Sequence, residues 1–82
     1  MKVFLSRRAK AALEDLPTTV RKRIETSIAE LVETPFPAGC KKLRDAPNSY
    51  RLRVGDYRIL YNIVERDEIL VFRIAPRESV YE

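Results

Sequence analysis

Eighty-two residues leave room for one hydrophobic core, so a single domain over residues 1–82 is expected. Hydrophobic residues are 45% and charged residues 34%, which excludes a membrane-embedded chain and a disordered polyelectrolyte alike. The net charge is +4 with no His and one Cys, so imidazole metal sites, Ser-His and Cys-His nucleophiles and an internal disulfide are all excluded.

Met1–Leu5 opens the chain as a short apolar strand. From Ser6 the period changes: Ala9, Ala12, Leu13 and Leu16 recur at i, i+3, i+4 and i+7, the spacing of one helix face. Ser6 is suited to cap that helix, and Pro17 breaks it. Thr18 or Thr19 starts a second helix, whose apolar stripe is Val20, Ile24, Ile28, Leu31 and Val32. Thr34-Pro35-Phe36-Pro37 stops it, because Pro disfavours helix at the residue before it. The short connection predicts a helical hairpin, each stripe needing a surface to cover.

Residues 35–49 read as a loop, basic at Cys40-Lys41-Lys42-Leu43-Arg44 and turn-rich from Asp45 to Ser49. The period then becomes two. Tyr50, Leu52 and Val54 alternate with Arg51 and Arg53, and Gly55-Asp56 is a two-residue hairpin signal. Tyr57–Val64 and Ile69–Ala75 are two further strands. The order β-α-α-β-β-β predicts an α+β domain, an antiparallel sheet with the N-terminal helical hairpin packed on one face. No apolar run is long enough to span a bilayer and no leader precedes the first strand, so a complete cytoplasmic protein is expected, in contact with no membrane.

Strand register sorts the side chains. Across a two-residue Gly55-Asp56 turn, Val54 faces Tyr57, Arg53 faces Arg58 and Arg51 faces Leu60, and cross-strand partners point to one side. With an even second loop, Val64 faces Ile69 and Leu60 faces Arg73. One face then holds Arg51, Arg53, Arg58, Arg73 and Arg77 with Leu60 and Asn62. The other, the core face, holds Leu52, Val54, Ile59, Tyr61, Ile63, Leu70, Phe72 and Ile74. Any one Arg is ordinary on a solvated sheet face, since its stem covers apolar surface while its head reaches water. Five in register are not. Like charges placed opposite each other destabilise a sheet by roughly 0.2–1 kcal/mol, and an anionic partner supplies the compensation. Eleven of the sixteen cations are Arg, whose forked donors suit phosphate.

RNA is one such anion. Cleavage by its 2′-hydroxyl requires removal of the hydroxyl proton, stabilisation of the charged phosphorane, and protonation of the leaving 5′-oxygen. Arg58 and Arg77 suit the second task. Tyr81 can stack on a base or exchange a proton near the scissile phosphate. Lys41, Lys42, Arg44 and Arg73 are candidate RNA contacts. The proton acceptor stays open among Lys41, Lys42, Asp45 and Glu78, because Arg is a poor base. Cys40 has no His to activate it, the acidic residues lack metal-ligand spacing, and no cofactor is implied.

The block Lys42-Leu43, Tyr50-Arg51-Leu52-Arg53-Val54-Gly55-Asp56-Tyr57-Arg58-Ile59-Leu60-Tyr61 and the closing Arg77-Glu78-Ser79-Val80-Tyr81 resemble the RelE/ParE toxin superfamily, RelE branch. The likeness runs through almost the whole chain. It implies a compact α+β toxin of a type II toxin–antitoxin pair that cleaves mRNA, typically in the ribosomal A site. A cognate antitoxin neutralises it, and operator DNA is met only through the antitoxin complex. It also implies catalytic roles for Arg51, Arg53, Arg58, Arg77 and Tyr81, with Arg51 and Arg53 standing where relatives often have Lys. Pro76 stands where many have His. The alternatives are a ParE-like inhibitor of DNA gyrase and a non-toxic degenerate binding module.

Overall fold

The computed structural model describes residues 1–77. Along the chain run β1 (Lys2–Leu5), α1 (Arg7–Glu14), α2 (Thr18–Glu33), β2 (Cys40–Lys42), β3 (Ser49–Val54), β4 (Tyr57–Glu65) and β5 (Glu68–Pro76). Local chemistry sets the helix ends as the sequence predicts. Ser6 is extended, and its hydroxyl accepts the Ala9 N–H at 3.1 Å, satisfying one donor that the first helical turn leaves open. Pro17 precedes α2, where a missing N–H costs nothing. Thr34 is extended before Pro35, and α2 stops there. Among the described residues no helix is long and apolar enough to cross a membrane.

The strands form one sheet in the order β1-β5-β4-β3-β2. Two features depart from the expected antiparallel sheet. β1 lies parallel to β5, so the sheet is mixed. A parallel neighbour needs a long crossover, and here everything from α1 to β4 lies between the two strands in sequence. The expected loop also contains β2, which pairs antiparallel with β3. Three residues are too few to show a period of two, and only pairing with β3 makes them a strand.

The β3–β4 register is the one predicted: Val54 with Tyr57, Arg53 with Arg58, Arg51 with Leu60. Gly55 has φ +60° and Asp56 does not share it, the pattern of a II′ turn that keeps this loop at two residues. Between β4 and β5, Leu60 pairs with Arg73 as expected, but register shifts at Leu60/Tyr61 and Ile63/Glu65 leave Phe72 and Val64 without ladder partners. Ile69 therefore meets Ile63 rather than Val64. The first shift reverses the expected parity: Ile69 and Val71 enter the core, and Leu70 and Phe72 do not. The core is Ala9, Ile24 and Leu31 of the helices against Leu52, Ile59, Tyr61, Ile69, Val71 and Ile74 of the sheet. Val20 and Ile28 of the predicted stripe pack on it, whereas Val32 is 42% exposed. Among the described residues, the helices thus cover one face of the sheet and leave the other without a helical layer.

Candidate functional site

Sheet pairing builds the uncovered face row by row. Lys41 of β2 faces Arg51 of β3, which faces Leu60 of β4, which faces Arg73 of β5. In the next row Arg53 faces Arg58, which faces Ala75. None of these register partners is acidic. Arg53 is exposed, while Arg51, Arg58 and Arg73 are half-buried and each engaged in further interactions. The cations stand around a small apolar floor of Leu43, Leu60 and Ala75, with Phe72 and Ala46 packed against it. Phe72 reaches this floor because of the bulge that takes it out of the main core. The Nε atoms of Arg58 and Arg73 are buried, so part of each guanidinium group is withdrawn from solvent. Guanidinium groups held this way are partly desolvated and pre-oriented, which strengthens their attraction for an anion.

Beside this array lies a cleft of about 350 Å³, lined by Lys41, Lys42, Leu43, Arg44, Asp45 and Arg51. It brings three of the four sequence-predicted RNA contacts next to Arg51; the fourth, Arg73, lies two strands away. Arg77 follows the end of β5, is exposed, and donates its backbone N–H to the Asp56 carbonyl at 2.8 Å, which places it at the Gly55-Asp56 turn near Arg58. Tyr81 and Glu78 lie outside the described residues. Asn62, expected on this face, receives the hydroxyl of Ser49, its partner on β3.

Cys40 does not join the array. Its register partner is Leu52, on the helix-covered face. There its thiol sits beside the buried Tyr61 hydroxyl, which donates to the Pro35 carbonyl at 2.7 Å. Burial pushes the Tyr61 phenol well above its ordinary value, and the neighbouring Cys40 adds to the effect. Among the described residues no cluster of three or more His, Cys, Asp or Glu could hold a metal ion. Sequence reasoning missed the apolar floor and the place of Lys41. The floor joins residues remote in sequence, and Lys41 is assigned to a face only through β2.

A family model for the ParE toxin of type II toxin–antitoxin systems, parDE, matches residues 3–81. The toxin RelE3 of Methanocaldococcus jannaschii is 34% identical over 86 residues, covering 100% of this chain and 97% of its own. The chain belongs to the RelE/ParE toxin superfamily. The mRNA interferase toxin RelE of Escherichia coli is 32% identical to this RelE-like toxin over 72 residues, covering 80% of this chain and 74% of its own. The archaeal RelE in complex with RelB from Pyrococcus horikoshii superposes with a TM-score of 0.81 at 27% identity, over 96% of this chain and 97% of that one. The RelE-like toxin therefore has the resemblance and the α+β fold expected from its sequence, and it is a toxin of a type II toxin–antitoxin pair.

Proposed function

We propose that this toxin is a ribosome-dependent mRNA endonuclease that inhibits translation in the cytoplasm and is neutralised by a cognate antitoxin. The observation that carries the reading is the set of guanidinium groups of Arg51, Arg53, Arg58 and Arg73, gathered by register on the sheet face that no helix among the described residues covers. The name of the Escherichia coli relative supports mRNA as the polyanion, and the RelE–RelB complex supports an antitoxin partner. Operator DNA would be reached through that partner.

The chemistry is metal-independent attack by the 2′-hydroxyl on the adjacent phosphorus. Arg58 and Arg77 meet the charge that develops on the phosphorane oxygens, Arg51 and Arg53 hold the flanking phosphates, and Tyr81 stacks on a base or exchanges a proton. The ribosome positions the strand. Removing one pre-oriented donor from such a transition state costs about 100- to 1,000-fold in rate. Arg58→Ala and Arg77→Ala should each lower cleavage by that order and abolish growth arrest, with the thermal melt near wild type. Primer extension on mRNA shortly after induction reads the cuts. Discrete codon-linked stops support the proposal. Intact mRNA with stabilised gyrase cleavage complexes, or harmless expression of a folded protein, overturns it.

A further inference from the structure

We infer that Lys41 accepts the 2′-hydroxyl proton when this face cleaves RNA, an inference that rests on the endonuclease reading above. Such a reaction needs one group that changes its protonation state as the bond forms. Guanidinium does not serve, because Arg stays protonated throughout the working pH range. The arginine array therefore binds and stabilises, and the proton must go elsewhere.

Lys41 and Lys42 are adjacent and chemically equal, and β2 separates them. Lys41 is the partner of Arg51, and Lys42 is the partner of Tyr50. Successive strand side chains point to opposite faces, and cross-strand partners share one. Lys41 thus shares the arginine face. Lys42 borders the same cleft, but its register belongs to Tyr50, which stacks on the core ring of Tyr61. Lys2, the other lysine on a strand, pairs with Glu68 at the opposite edge of the sheet. Lys41 is therefore the amine that strand pairing sets beside Arg51.

The charged groups about Lys41 are Lys42 on its own strand, Arg44 and Asp45 from the following turn, and Arg51 from β3, with Arg53 two residues further along that strand. The titratable neighbours across and along the pairing are Cys40 and Tyr50. Among the described residues β2 is an edge strand, with no strand on its far side. Asp45 is the competing acceptor in the cleft. Carboxylates ordinarily hold a proton weakly, and their charge repels a phosphodiester, whereas a lysine that has taken the proton becomes a cation attracted to the phosphorane.

In the step, the neutral Lys41 Nζ takes the 2′-hydroxyl proton and becomes an ammonium group. The 2′-oxygen forms its bond to phosphorus. The P–O5′ bond breaks with its electron pair on the 5′-oxygen, which takes a proton from water, and the resulting hydroxide deprotonates the ammonium. The products are a 2′,3′-cyclic phosphate and a 5′-hydroxyl.

The test is single-turnover cleavage of mRNA on programmed ribosomes, with binding measured separately. Lys41→Arg keeps the cation and loses the acceptor. It should cleave at least about 100-fold more slowly, the contribution of a positioned base, while binding ribosomes normally. Lys2→Arg, at the opposite edge of the sheet, should cleave near the wild-type rate, and Lys42→Arg and Asp45→Asn should keep the wild-type pH dependence whatever they cost in binding. The wild-type rate should rise with pH as the acceptor loses its proton, and Lys41→Arg should lose that slope. Lys41→Gln, read with a thermal melt, guards against a variant that misfolds. Full activity in Lys41→Arg, an unchanged pH slope, or a loss wholly in binding overturns the role while leaving the endonuclease reading standing. Wild-type protein that leaves mRNA intact overturns both.

Discussion

Tyr61 is fully buried, yet it carries a hydroxyl that must find an acceptor. The acceptor is the Pro35 carbonyl, in the segment that ends α2, and the ring stacks on Tyr50 at 5.7 Å. Phe36 in turn meets Tyr50 edge-on at 5.3 Å. One phenol thus ties the 34–37 segment to the core and sets where the chain enters β2. Its raised ionisation range has a sign that can be checked. The unfolded phenol ionises near pH 10, while the folded one stays neutral above that. Its contribution to stability is complete below about pH 10 and declines as pH rises further. Tyr61→Phe should cost about 1 kcal/mol at neutral pH through the lost hydrogen bond, and should lose less stability between about pH 9 and 11 than wild type does. Thermal melts across that range check it, and parallel declines in the two proteins would refute the assignment.

At the scale of elements, the β5 bulge decides which residues meet the core and which meet the arginine face. It does not stand alone. The Ser6 backbone N–H donates to the Val71 carbonyl at 2.8 Å, and the Ser6 hydroxyl donates to the Phe72 carbonyl at 3.3 Å while accepting the Ala9 N–H. The cap of α1 therefore also occupies the carbonyl of the residue that the register shift leaves without a ladder partner. Ser6→Ala should cost about 1 kcal/mol or more, the usual price of a lost N-cap, and lower Tm by roughly 4–8 °C per kcal/mol in a domain of this size. Ser6→Thr keeps the hydroxyl and should recover most of the loss. Melting both variants side by side measures it. Equal Tm values for wild type and Ser6→Ala would show that the cap does not secure the bulge.

For the whole molecule, net charge matters less than where the charge lies. The formal charge is only +4, yet four strands contribute cations to one face. A face of this kind steers a polyanion and gives binding a steep salt dependence. Arg53 and Arg58 carry like charges set opposite each other, an arrangement that works against folding and, on the endonuclease reading, in favour of the RNA. Arg53→Thr should therefore stabilise the free protein by about 0.2–1 kcal/mol. It should also weaken RNA binding and reduce the slope of log K against log salt by about 0.7, one single-stranded phosphate contact. Denaturant titration and binding over a salt series read the two effects. Destabilisation together with an unchanged slope would contradict a ligand-directed placement.

Local patterns in the chain were enough to define both helices, their Ser6 and Pro17 boundaries, and the Gly55-Asp56 turn. They also placed Arg51, Arg53, Arg58 and Leu60 in their observed register, because a two-residue turn leaves no freedom in the pairing that follows it. Folding in three dimensions settled what no local period encodes. β1 found β5 as a parallel neighbour, three residues became a strand only against β3, and one bulge exchanged Leu70 and Phe72 for Ile69 and Val71 in the core. Each of these depends on pairing between segments distant in sequence. A single inserted residue in such a ladder turns every later side chain to the other face, and the energy that selects it is the burial of Ile69 and Val71 against helices the strand cannot sense from its own sequence.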